Sequence, residues 1–154
     1  MVARTVINSL SGATLAVSAG LPATYDAAGY GATTITYTAC GEVENHGNHG
    51  VTAAVTEFTP VDTAVVAKVK GSKNYGTMSM TLGHLPSDAG QVILKTASES
   101  NAHFSLKITY QDTSIHYMDV LVSKFEYTGG TVNDVLKLNV DFAICRAPVI
   151  VAQV

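Results

Sequence analysis

The sequence predicts a mainly β protein: a sandwich or barrel-like sheet with one flanking α-helix over about 88–98 and an arm at either end. Two alternating stretches and one capped helical stretch carry this reading. Phe104, Leu106, Ile108 and Tyr110 alternate with Ser105, Lys107 and Thr109. Leu136, Leu138, Val140, Phe142 and Ile144 alternate with Lys137, Asn139 and Asp141. A two-residue period is that of strands with one buried face. Only after Pro86 do apolar residues recur at helical spacing (Ala89, Val92, Ile93, Ala97), with Asp88 and Gln91 in capping-box positions.

Taken in order, residues 1–31 mix Ser, Thr, Ala and Gly and offer one short strand around Leu15 and Val17; the stretch reads as an arm that needs a partner surface, its N-terminal part being about 1–12. Residues 33–40, rich in Thr, Ile and Tyr, predict a strand. The glycine-bearing stretch from Gly41 to Gly50 and the weakly patterned 51–60 predict a long loop over about 42–62. Val65, Ala67 and Val69 share one strand face, and the turn formers at 71–74 lead to Met78, Met80 and Leu82, which predicts a hairpin. Residues 115–127 are apolar on both parities (Tyr117, Leu121, Phe125 against Met118, Val120, Val122), as in a strand that is central or meets another subunit. Gly129 and Gly130 turn the chain into the last long strand. The tail, about 147–154, is apolar behind Pro148 and reads as a docking arm, with Val149, Ile150 and Val151 as its contacts.

The 154 residues fit one domain. Hydrophobic residues make up 47% and charged residues only 14%, a poor surface for a free monomer and a suitable one for a chain buried against partners. A net charge of −3 gives no basic field to hold nucleic acid tightly. Cys40 and Cys145 lack metal-type or redox-type spacing, and residues 1–4 lead into Ser, Thr and Gly, which suggests cytoplasmic synthesis with free thiols. No apolar run reaches the roughly 18 residues of a membrane span. The sequence has no Gly-x-Ser-x-Gly elbow, His-Glu-x-x-His helix or phosphate-cradling glycine loop, so no catalytic residues are assigned. His46 and His49 lack a defined third and fourth ligand, so neither metal nor cofactor is expected.

Specific strings go further than the pattern. Pro22-Ala23-Thr24-Tyr25-Asp26-Ala27-Ala28-Gly29-Tyr30, running on to Gly41-Glu42-Val43, resembles the early segment of the major tail tube proteins of long-tailed (siphovirus-like) bacteriophages. The hairpin ending at Leu82, the helix from Asp88, and residues 117–142 with Phe125, Gly130, Asn133 and Asp134 are similar to the rest of that family. The resemblance implies a non-enzymatic virion protein on a tail tube fold, made in the host cytoplasm. It also implies hexameric rings stacked into a tube through which DNA passes, without specific binding or membrane insertion. Tape measure, terminator and distal tail proteins are the implied partners.

For such an assembly, Glu42, Glu44, His46, His49 and Glu57 are the residues expected to reach the next ring. Glu57, Asp62, Asp112, Asp119, Glu126, Asp134 and Asp141 are expected to line an acidic bore that repels phosphates. A tail terminator, a capsid decoration protein, and a small-molecule-binding sandwich or hydrolase are the alternatives.

Overall fold

The computed structural model describes residue 7 and residues 9–152, so most of the expected N-terminal arm and the end of the C-terminal one lie outside the described residues. The strands are β1 (Thr14–Ser18), β2 (Thr38–Cys40), β3 (Val43–Asn45), β4 (Thr52–Phe58), β5 (Ala67–Asn74), β6 (Thr77–Gly83), β7 (Phe104–Thr109), β8 (Ile115–Thr128), β9 (Lys137–Ile144) and β10 (Val149–Val151). The helices are α1 (Ala27–Tyr30) and α2 (Ala89–Ser98). The mainly β expectation with one principal helix holds.

Eight strands form one antiparallel sheet in the order β2-β1-β7-β8-β9-β6-β3, with β10 alongside β8, and β4 and β5 pair separately. The two ends of this path, β2 and β3, are consecutive in sequence and separated only by Gly41 and Glu42. A sheet whose outermost strands are joined by two residues must curl on itself. Its concave face then closes around one core: Leu15 and Val17 of β1, Met78, Met80 and Leu82 of β6, Leu106 and Ile108 of β7, Met118 and Val120 of β8, and Leu138, Val140 and Phe142 of β9. Leu94 and Ala97 of α2 complete it.

The corner between β2 and β3 is held by α2. Glu42 adopts the left-handed conformation (φ 57°), unfavourable for a residue with a Cβ, and its carbonyl accepts from the Gly83 N–H at 2.8 Å. Asp88 caps the helix by accepting the Gln91 N–H at 2.9 Å, and its other oxygen accepts the Gly41 N–H at 3.0 Å. The buried Gln91 side chain accepts from the Leu85 N–H and donates to the carbonyls of Gly83 (2.8 Å) and Gly41 (3.4 Å). Only half of the predicted capping box forms, because the Gln91 amide turns to the sheet corner instead of back to Asp88. For the same reason the buried face of α2 is Gly90, Gln91, Leu94 and Ala97, leaving the expected Val92 exposed. Gly90 permits this seat: a Cβ there would lie 2.5 Å from the Ala39 carbonyl oxygen and the Cys40 sulfur.

Three expectations are corrected. The predicted hairpin does not form: β5 pairs with β4, while β6 pairs with β9 and β3. Residues 42–62 are not one loop but contain β3 and β4; the β4–β5 hairpin packs no face into the core, so it has no buried stripe to betray it. The strand predicted over 33–40 shrinks to β2, since residues 20–37 are used instead to cover the outer face of the sheet. The strand apolar on both parities is central, as expected: β8 lies between β7 and β9, its proximal half is buried on both faces (Tyr117 and Asp119 on one, Met118 and Val120 on the other), and a bulge follows. Val122 opposes Phe142 while Lys124 opposes Asp141, so Ser123 is an extra residue that brings Phe125 and Tyr127 onto the face of Met118 and Val120.

Replacing Gln91 with Leu strands the Leu85 N–H and the Gly83 carbonyl, and is expected to lower stability by about 2–4 kcal/mol. Urea unfolding measures this, and an unchanged midpoint would show that the corner does not depend on the amide.

Candidate functional site

Three surfaces stand out. The first is the β4–β5 hairpin. Opposed residues in an antiparallel ladder project to the same side, so Thr56 with Val69 and Phe58 with Ala67 form one face, and Val55 with Lys70 and Glu57 with Lys68 form the other. Glu57 and Lys68 are ion-paired at 3.1 Å. The apolar face is bare: Phe58 is 63% and Val69 61% exposed, and Val61, Val65 and Val66 in the connecting loop are also exposed. A two-stranded hairpin is marginal alone, and contiguous apolar surface of this kind marks an interaction site.

The second surface is the convex face of β6, β9 and the distal half of β8. Cross-strand rows read Ser79, Asp141, Lys124, then Thr81, Asn139, Glu126, then Gly83, Lys137, Thr128. Their side chains satisfy one another. Thr81 donates to the Asn139 Oδ1 at 3.2 Å, Asn139 donates to the Thr128 hydroxyl at 2.6 Å, and Lys124 pairs with Glu126 at 2.8 Å. Lys137 reaches Glu44 of β3 at 2.7 Å. Three carboxylates against two ammonium groups leave this wall polar and weakly acidic.

The third surface, the convex face of β1, β7 and the proximal half of β8, is covered by the chain's own residues 20–37. Tyr30 stacks on Tyr117 (5.3 Å, 7°), Tyr37 tilts against the same ring, and Tyr25 meets Tyr30 edge to face. Asp26 fixes α1 by accepting the Gly29 N–H at 2.7 Å. Beneath this layer Asp119 is 1% exposed and is held by Arg146 (3.1 Å) and His103 (2.8 Å); the Arg146 guanidinium lies 3.9 Å over the Tyr25 ring. Residues 20–31, within the stretch expected to need a partner surface, therefore find one within the chain.

The predicted site residues scatter. Glu42 is the sheet corner, Glu44 bonds Lys137, His46 is buried with an unpartnered Nδ1, His49 meets His116, and Glu57 sits on the hairpin. Glu126 and Asp141 share the polar wall, whereas Asp62 lies near the hairpin tip, Asp112 in the β7–β8 turn and Asp134 in the β8–β9 turn. Burial removes Asp119 from any wall-lining set. Val149, Ile150 and Val151 do not hang free but pair with Tyr117, His116 and Ile115 of β8, continuing the line of β9, although Ile150 keeps 62% of its surface exposed. Phe58 and Val69 were not predicted; the signal was apolar residues at 55, 58, 61, 65, 66 and 69 with no core period. Cys40 and Cys145 are free thiols, and burial pushes the Cys40 thiol up to about 12. Among the described residues no group of three or more His, Cys, Asp or Glu could hold a metal ion, and no helix is long and apolar enough to cross a membrane.

No protein-family model matches the sequence, and no curated protein does. Solved structures do match. A chain of the anti-feeding prophage baseplate, determined by cryo-EM with 6-fold symmetry imposed, superposes with a TM-score of 0.70 at 9% identity over 99% of both chains. A chain from the sheath/tube terminator of the PVC extracellular contractile injection system gives 0.68 at 9% identity, covering 97% of this chain and 100% of that one. The SPP1 tail tube gives 0.59 at 11% identity, over 92% of this chain and 78% of that one. The chain has a tail-tube-type fold. Within that fold the free hairpin and the polar wall are this chain's own exposed features, and the tyrosine layer, built on the residues that carried the sequence resemblance, is its buried one.

Replacing Arg146 with Ala leaves the buried Asp119 carboxylate short of its cation and is expected to cost about 3–5 kcal/mol. Chemical denaturation checks this, and a loss below about 1 kcal/mol would mean that the carboxylate is adequately held by His103 alone.

Proposed function

We propose that the chain is a structural, non-enzymatic subunit of a phage-type tail tube: copies close into six-fold rings, and the rings stack into a hollow tube of the long-tailed phage kind. The observation that carries this reading is the β4–β5 hairpin, whose apolar face is left exposed among the described residues. A second copy is its occupant. A contact between unlike surfaces closes a ring when its rotation returns to the start, and a further unlike contact stacks the rings. The hairpin supplies one half of such a contact, and its tail-tube-type fold supports the assembly.

The polar wall of β6, β9 and distal β8 faces the bore in this reading. Its hydroxyl and amide rows offer DNA no cationic grip, and the small acidic excess from Glu44, Glu126 and Asp141 keeps phosphates from adhering. Tape measure, terminator and distal tail proteins are the natural partners at the lumen and tube ends. Likeness to baseplate and terminator chains favours a second reading, in which the chain forms a single terminal ring.

Electron microscopy of the purified chain separates the two: long uniform tubes for a tube subunit, discrete rings for a terminal one. The double substitution Phe58→Ser with Val69→Ser is expected to abolish assembly while leaving thermal unfolding of the subunit within a few degrees of the parent, about the shift of 1 kcal/mol or less. Tubes formed normally by the double variant would refute the hairpin's role.

A further inference from the structure

The root of the hairpin carries a contact between titratable side chains. Residues 46–51 lead from β3 into β4, and within them His49 sets Nε2 2.8 Å from Nδ1 of His116, near the start of β8. The rings meet edge to face with centroids 5.1 Å apart, and Tyr110 packs against His116 at 4.7 Å. A cavity beside the pair is lined by Val51 and Lys73 at the two ends of the hairpin, by Tyr75, and by Pro148 and Ile150. Ile150 of β10 is also the ladder partner of His116. One imidazole pair thus ties together the entry to the hairpin, β8 and the C-terminal strand.

Two ring nitrogens 2.8 Å apart need one proton between them, one nitrogen donating and the other accepting. Once both imidazoles are cationic every ring nitrogen carries a proton, so two N–H groups and two positive charges face each other in a half-buried setting. The basic groups nearby add to that repulsion: His46 lies on the same connection and Lys73, at the end of β5, lines the cavity, where Tyr75 and Tyr110 are the neighbouring phenols. Asp112 in the β7–β8 turn is the opposing charge, and its Oδ1 accepts from the Ser114 N–H and hydroxyl.

We propose that the His49–His116 pair is an acid-released latch, which pins the root of the β4–β5 hairpin to the β8–β10 edge while the two rings share a proton and lets it go once both are charged. The latch rests on the hairpin's being the assembly surface and adds control over when that surface is held in place. Burial depresses His49, and burial together with His49 depresses His116, below the ordinary value of 6.5, with Asp112 acting in the opposite sense on His116. Rings freed by opening therefore take up protons first as the pH falls. The latch contributes fully above the ordinary imidazole range, and its contribution is lost progressively as pH drops through and below it.

Hydrogen exchange of the free full-length subunit, corrected for intrinsic rates, tests this. Amides of residues 46–58 and 67–75 are expected to exchange about tenfold faster, relative to β9, near pH 5 than near pH 7.5. The variants His49→Gln and His116→Asn are expected to lose that dependence. Exchange that ignores pH in the parent, or an equal response in both variants, overturns the latch. Should a variant fail to fold, imidazole titration of the parent by NMR decides: coupled, separated steps for the two rings support it, and independent single steps refute it. Tubes counted at both pH values report separately on the assembly reading. Tubes with pH-indifferent exchange sink the latch alone; acid-released exchange in a chain that never assembles sinks the tube reading alone.

Discussion

Closure of the sheet at Gly41 and Glu42 is the constraint on which the rest depends. Two residues must carry the chain from one end of the strand path to the other, and they do so with Glu42 in a backbone conformation that costs about 1–2 kcal/mol for a residue with a Cβ. Asp88 and Gln91 offset that cost by bonding both backbone groups of Gly41, and Gln91 also bonds the carbonyl of Gly83. The helix thereby acts as a clasp as well as packing its Leu94 and Ala97 into the core. β2 and β3 stay the terminal strands of the sheet, each with one strand partner, and the clasp holds the corner that joins them.

Closure also decides which parts of the chain are left for other work. The core face is consumed by the sheet's own interior, and residues 20–37 with Arg146 consume the convex face over β1 and β7. What remains outside is the hairpin, the polar wall and the exposed side of β10. These remnants differ in chemistry: one is apolar, one is a hydrogen-bonded mesh of small polar side chains, and one is a single exposed isoleucine in a strand. The proposed tube subunit, which would touch copies of itself on some sides and a passing polyanion on another, calls for such a division.

How far the sequence foretold this depends on whether a segment packs against something in its own chain. β7 and β9 were legible because each buries alternate side chains, and α2 because Asp88 is followed by a capped turn. In β8 both parities read as apolar because its proximal half is buried on both faces, and the bulge at Ser123 then carries the core face from even to odd positions. β4 and β5 were illegible as a pair for the opposite reason. Their apolar residues meet no core, so no local alternation is imposed on both strands, and a second bulge between Ala53 and Val55 breaks the register that is there. Asp119 was misplaced because nothing local distinguishes a buried ion-paired carboxylate from a surface one; its partners, His103 and Arg146, lie 16 and 27 residues away.

The low identity to structures of the same fold follows from the same physics. Closure asks for a tight corner and a polar clasp, the core asks for apolar volume at alternate positions, and the wall asks for short polar side chains that bond across strands. Each demand is met by a class of residue, and repacked cores of conserved volume keep a fold without keeping its sequence. Such a fold tolerates drift to 9–11% identity. Subunit contacts drift in pairs, since both sides belong to the same gene product and a change in one can be met by a change in the other. The 14% charged content fits the proposed assembly: an apolar hairpin covered by further copies would need fewer charges to remain soluble than the monomer's bare surface demands.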